Sequence, residues 1–140
     1  MGEATTNERK GKTMGYESRL HVVNKTDMMI TVYKNGNTEA RSDRKWGELL
    51  ATFNLCKLSG ECYPLWSGEA TDCTFFDGNE YVLEDRYGDP LTENTVEFTI
   101  AMLKAAERTE HYRRLQPVID YLRGLNLSEF DNVVVLHYGY

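Results

Sequence analysis

Nothing in these 140 residues approaches the roughly 20 consecutive apolar residues that span a bilayer. The first residues carry no apolar core of the kind a signal peptide needs. The expected location is therefore the cytoplasm, with no membrane partner. Cysteine is scarce, at three residues, and an odd number without a secretory signal fits reduced thiols better than a disulfide framework. Catalytic signatures are missing too. There is no glycine-rich phosphate loop, no H-E-x-x-H helix and no Ser or Cys nucleophile motif. Basic residues are almost absent from one long stretch: between Glu61 and Glu97, Arg86 is the single base.

That stretch holds Glu61, Glu69, Asp72, Asp77, Glu80, Glu84, Asp85, Asp89, Glu93 and Glu97. The imbalance is local. Residues 1–47 carry nine Lys and Arg against six acids, and residues 48–140 carry seven against sixteen. A field of this sign repels nucleic acid and attracts basic protein surfaces, above all those that normally hold phosphates. Direct DNA binding is not expected. The carboxylates Asp72, Asp77, Glu80, Glu84, Asp85, Asp89 and Glu93 form the candidate partner-binding set. A plain solubilising surface is the competing reading.

Composition is otherwise that of a globular chain, 41% hydrophobic and 27% charged. Its length suits one domain with a real core. Residues 1–13 are polar and read as a flexible tail before a single domain over 14–140, with Met14-Gly15-Tyr16 resembling a second start. Tyr16 to Asn24 alternates as a first strand, with Leu20 and Val22 on one face. Asp27 to Tyr33 is a second strand or an excursion, ending at the Asn35-Gly36 turn signal. Thr38 to Lys45 reads as a loop. A strand follows from Leu50, with Leu49, Ala51, Phe53 and Leu55 assigned to one face. Lys57 to Ala70 reads as a surface connection.

Thr71 to Pro90 predicts a hairpin turning at Asp77-Gly78-Asn79, closed by a second turn, and is assigned to the centre of the sheet. Thr95 is the expected cap of a helix to about Thr109. A second helix spans about 110–123, with Leu115, Val118, Ile119 and Leu122 at helical spacing. Pro117 either bends it or marks its first turn. Val133 to Tyr138 is apolar enough for a strand buried on both faces. Together these give an α+β fold, a mainly antiparallel sheet of four to six strands with two helices on one face. The expected core is Leu20, Val22, Leu49, Phe53, Phe75, Leu83, Ile100, Leu103, Leu115, Ile119, Leu122, Val134 and Leu136.

Cys56, Cys62 and Cys73 lack the paired spacing of common zinc sites, and a fourth ligand would have to come from His21, His111, His137 or an acid. They are the ligand set of an alternative reading, a small zinc-binding protein or metal-dependent enzyme. The first reading has no cofactor and no catalysis. His21 and His137 fall on strands and approach each other if the first strand pairs with the last.

The segments Tyr16-Glu17-Ser18-Arg19-Leu20, Ala51 to Cys56, Leu83 to Leu91 and His137-Tyr138-Gly139-Tyr140 together resemble small uncharacterised proteins of phages and mobile elements of Gram-positive bacteria. The likeness covers about residues 14–140, with Asp27 to Arg44 long for such proteins. It implies an accessory or anti-defence role, anti-CRISPR-like, in which a non-enzymatic inhibitor meets a host protein with a basic surface such as a CRISPR effector. A structural or regulatory phage protein is the remaining alternative.

Overall fold

A computed structural model describes residues 17–34, 37–55, 62–110 and 115–140. The tail expected over 1–13, the start at Met14, the turn at Asn35-Gly36, and Cys56, Glu61 and His111 lie outside them. Strand β1 (Ser18–Lys34) and strand β2 (Asn37–Leu55) are followed by a short helix α1 (Tyr63–Ser67). Next come β3 (Cys73–Asp77), β4 (Glu80–Val82) and β5 (Thr92–Thr95), then helices α2 (Val96–Glu110) and α3 (Leu115–Gly124), a 3-10 turn (Leu127–Glu129) and β6 (Val133–Gly139). The strands form one six-stranded sheet in the order β4-β3-β2-β1-β6-β5. All neighbours are antiparallel except β2 and β3. The expected α+β architecture is what forms.

β1 lies at the middle, paired with β2 on one side and β6 on the other over Ser18 to Asn24. Its alternation sends Leu20 and Val22 to one face and Val23 to the other. The first face is covered by the helices: Leu65 of α1, Leu103 and Ala106 of α2, and Leu115, Val118, Ile119 and Leu122 of α3 join Leu20, Val22, Leu55 and Val135. Thr95 caps α2 as its residue type suggests, its Oγ1 accepting from Phe98 N at 3.0 Å. Pro117 stands in the first turn of α3, where its missing amide costs no hydrogen bond, so the helix begins at Leu115 rather than at 110. Residues 111–114 are outside the described set.

Several expectations need correction. The loop expected over Thr38 to Lys45 belongs to β2, and its second half, Ser42 to Lys45, pairs with Val32 to Met29 of β1, which supplies backbone partners that a polar sequence does not signal. Within the expected surface connection, α1 starts at Tyr63 with Pro64 in its first turn, and it buries Leu65 completely. The Leu65 carbonyl accepts from Thr92 Oγ1 and from Asn94 Nδ2, pinning α1 to β5. Leu49 does not share a face with Ala51, Phe53 and Leu55. A bulge places Val22 opposite Ala51 and Val23 opposite Leu49, so Leu50 is the extra residue and Leu49 turns to the second face. The β3–β4 hairpin lies at the sheet edge, not its centre, although its two-residue turn at Gly78-Asn79 forms as its sequence indicates, with Gly78 at φ 71°.

The second face carries its own core of Val23, Cys73, Phe75, Leu91, Val134 and Leu136. The sheet curls to enclose it. Segment 69–71, which leads into β3, bonds to β5 through Thr71 N to Leu91 O (2.9 Å) and Glu93 N to Glu69 O (3.0 Å), so chain from one side of the sheet meets the opposite edge strand. Gly47 permits the close approach of β2 to β3, since a Cβ there would stand 2.5 Å from Cys73 Sγ. At a second irregularity, Thr26, Asp27 and Met28 oppose only Trp46. Thr26 Oγ1 accepts from Met28 N and donates to the Trp46 carbonyl there. Beyond this bend the β1–β2 arm brings Val32 and Tyr33 to the same cleft as Arg19 and His21.

The buried stripe of α3 makes a direct test of the helix-side core. Leu122→Ala is expected to lose about 2 to 5 kcal/mol in urea unfolding. An unchanged transition midpoint would show that this face does not hold α3 to the sheet.

Candidate functional site

The second face opens into a cleft of about 700 Å³, within the range of small-ligand and side-chain pockets. Its floor comes from β1 and β6, where register places Arg19 opposite Tyr138 and His21 opposite Leu136. Arg19, His21 and Tyr138 line it. Val32 and Tyr33 of the arm form one wall, and the β3–β4 turn with the segment after it supplies Asp77, Asn79, Glu80, Tyr81, Val82, Leu83, Glu84 and Asp85. Four of the seven candidate acids, Asp77, Glu80, Glu84 and Asp85, therefore meet around one depression.

The other three sit elsewhere. Lys25 Nζ lies 2.8 Å from Asp72 and 3.0 Å from Glu93, and Glu93 also accepts from Thr71 Oγ1. Burial works against the Lys25 charge, but the bonds from Asp72 and then Glu93 outweigh it and hold the ammonium above its ordinary pKa. The same Lys25 bond keeps the Asp72 carboxyl below its usual range. These two acids fasten β1 to the segment entering β3 and to β5. Asp89 lies in the loop that Asp85 organises: Asp85 Oδ1 accepts from Tyr87 N and Asp89 N, and Gly88 turns the chain at φ 85°. Arg86 N bonds to Gly139 O, docking the loop on the end of β6.

His21 is 1% exposed. Its Nδ1 is hydrogen-bonded to Thr52 Oγ1 at 2.9 Å, its ring stands 4.6 Å from that of Phe75, and its Nε2 is buried with no partner among the described residues. Burial, aided by the charge of Arg19, pushes its pKa down to about 4, so the ring is neutral at pH 7. His137 is adjacent in register but faces the helices, bonded to Ser18 Oγ at 2.8 Å and set against Trp66. Burial and then His21 push it down to about 3. The Arg19 guanidinium turns toward the C-terminus: it sits 5.4 Å from the Tyr138 ring centre and 4.6 Å from that of Tyr140, and its Nε donates to Asn54.

Of the three thiols of the alternative metal reading, the two among the described residues lie in different cores. Cys62 belongs to the helix-side core, with its Sγ donating to Met102 O, while Cys73 belongs to the second-face core. Burial pushes the Cys73 thiol up to about 11, which keeps it protonated and a poor ligand or nucleophile. No group of three His, Cys, Asp or Glu side chains among the described residues is arranged to hold a metal ion. No helix among them is long and apolar enough to cross a membrane. Comparison with protein-family models, with curated proteins and with solved structures gives no match.

Sequence reading reached the acids of the hairpin but not Arg19, Tyr33, Tyr81 or Tyr138, because only the arm's bend and the β1–β6 register bring them together. Two measurements probe this geometry. Lys25→Met should cost about 1 to 3 kcal/mol, since it strands the partly buried Glu93, whereas Asp72→Asn, with its side chain 60% exposed, should cost under about 1 kcal/mol. Equal losses would remove Lys25 from its central place.

The histidines set the sign of the acid response. Both have folded pKa values below the unfolded 6.5, so the unfolded chain binds the extra protons. Stability is full above about pH 6.5 and falls as pH drops toward 4 and 3, each ring contributing up to about 2 kcal/mol of loss by pH 5. Urea unfolding at pH 7.5 and pH 5 should show this drop, reduced in His21→Phe. An identical slope in that variant would mean that His21 titrates normally when folded.

Proposed function

We propose that this protein is a non-enzymatic binding protein whose acidic cleft lip docks on a basic, nucleic-acid-handling surface of a partner protein. The observation that carries this reading is the gathering of Asp77, Glu80, Glu84 and Asp85 around one cleft, with Arg19 the single Lys or Arg among its lining residues. Asp77 and Glu80 face each other across the hairpin end and are exposed, so they offer charge at a protruding edge with little desolvation cost. Exposed aromatic surface lies beside them: Phe76 and Tyr81 are 44% and 41% exposed and in ring contact at 5.3 Å. Acidic charge joined to exposed aromatic rings suits a protein partner, in which rings fill pockets and charge steers the encounter.

The resemblance to phage and mobile-element proteins supplies the partner class, a host-defence effector such as a CRISPR nuclease. Carboxylates held at a protruding lip then stand where phosphates would, and inhibition follows from occupying the nucleic-acid channel. Asp72 and Glu93 are left out of the contact set because Lys25 already engages them. Asp85 is left out of the test because its carboxylate shapes the loop.

The double variant Asp77→Lys/Glu80→Lys should fold normally, since exposed charges add little to stability. In cells whose CRISPR immunity targets a phage, the wild-type chain should restore plaque formation. The variant should lose at least about tenfold in binding to the effector, with the wild-type affinity falling steeply as salt rises and competing with guide RNA or DNA. Full protection by the double variant would exclude this lip as the contact, and no protection by the wild type would exclude the partner class.

A further inference from the structure

Beside the acidic lip, the β3–β4 hairpin and β2 carry an array of three aromatic rings. Register sets Trp46 beside Thr74 and Phe76 opposite Tyr81, so strand alternation puts Trp46, Phe76 and Tyr81 on one face, turned away from Cys73 and Phe75 of the second core. The ring centres of Trp46 and Tyr81 are 6.0 Å apart and those of Tyr81 and Phe76 5.3 Å, with planes inclined at 82° and 70°. Rings set edge to face leave a notch at each junction instead of a flat platform. Phe76 and Tyr81 are exposed and Trp46 is half-buried. Neither the Trp46 indole N–H nor the Tyr81 hydroxyl is hydrogen-bonded to another described residue.

Exposed carboxylates stand at both ends of the array. Glu48 lies two residues beyond Trp46 on β2, and Asp77 and Glu80 form the pair next to Phe76 and Tyr81 at the hairpin end. None of the three is in an ion pair with a described residue. Arg44, two residues before Trp46, turns its guanidinium to the Thr71 and Cys73 carbonyls.

We infer that this array is a receptor for a proline-rich segment of the partner in the polyproline II conformation, flanked by a basic residue. Such a segment makes no internal hydrogen bonds, so its carbonyls need outside donors, which the Trp46 and Tyr81 groups supply. It advances about 3.1 Å per residue, so residues two apart are roughly 6 Å apart, the scale on which the rings of the array succeed one another. Prolines lodge in the notches, and the carboxylates hold the basic flank. Both sides are ordered before they meet: the ligand by its prolines, the array by paired strands and by Thr26 Oγ1 donating to the Trp46 carbonyl. A neutral carbohydrate fits less well, since it stacks on flat ring faces and brings no charge to match the carboxylates. The assignment rests on the acidic-lip reading and deepens it, the lip attracting a basic surface and the array selecting a proline-bearing segment of it.

The test adds a blocked peptide of two arginines followed by six prolines to the whole chain and follows the tryptophan indole N–H signals by nitrogen-15 NMR. The Trp46 signal should shift saturably, with Kd on the order of 0.1 mM for so short a peptide, while that of Trp66, set against His137, should stay in place. Replacing the prolines by glycines, or the arginines by glutamates, should weaken binding at least about tenfold. Tyr81→Ser should weaken it by a similar factor, because it removes the ring shared by both notches. Should that variant lose its native spectrum, Phe76→Ser replaces it, with the same loss expected.

Absence of a saturable Trp46 shift, equal binding of the glycine or glutamate peptide, or saturation by cellohexaose in place of the proline peptide would overturn the assignment. If the proline peptide fails to bind while Asp77→Lys/Glu80→Lys still abolishes partner binding, the array inference falls and the acidic lip stands.

Discussion

The structure depends on one strand being buried from both sides at once. Residues 18–24 of β1 are hydrogen-bonded to β2 and β6 and carry apolar side chains on both faces, so each face must find its own cover. Helices cover one face in the ordinary way of an α+β fold. Among the described residues no helix contributes to the core on the other face, and the sheet covers it by curling, with segment 69–71 closing onto β5. Lys25 stands at this closure, and its bonds to Asp72 and Glu93 join three parts of the chain that are far apart in sequence.

A sheet that curls this far must break its regular ladder, and the breaks are what create the cleft. The bulge at Leu50 lets β2 keep Ala51, Phe53 and Leu55 under the helices while turning Leu49 to the second core. The three residues that oppose Trp46 bend the β1–β2 arm until Val32 and Tyr33 stand over Arg19 and His21. Bulges re-aim side chains, and here they re-aim an entire arm. The resulting space is walled by the acidic hairpin because β3 and β4 are the strands that the curl carries round. Charge at the lip and a neutral ring at the floor then follow from position: the hairpin end is solvated, whereas His21 sits under Phe75.

The uses made of the acidic residues differ by location more than by type. Asp72 and Glu93 neutralise a cation and fasten the closure, and Asp85 caps backbone amides in its own loop. Asp77 and Glu80 are held out at the hairpin end with their charge facing water. A sequence count treats these as one acidic block, but the fold spends part of it on architecture and presents the rest around a cleft.

Local features were legible in the sequence because local forces decide them. The Gly78-Asn79 turn, the Thr95 cap and the buried stripe Leu115, Val118, Ile119 and Leu122 each follow from backbone preference or from 3.6-residue periodicity. The α+β class follows from the order of those elements. What the sequence could not carry was pairing between distant segments. Thr38 to Lys45 reads as a polar loop until Ser42 to Lys45 pair with β1, and the hairpin reads as the sheet's middle until β2 pairs with β3 in parallel and leaves β4 at the edge. The grouping of Tyr33, Tyr81 and Tyr138 with His21 likewise had no sequence signal. Side-chain alternation fixes which face a residue takes within a strand, but bulges and the curl of the whole sheet decide what that face meets, and those depend on packing the entire chain.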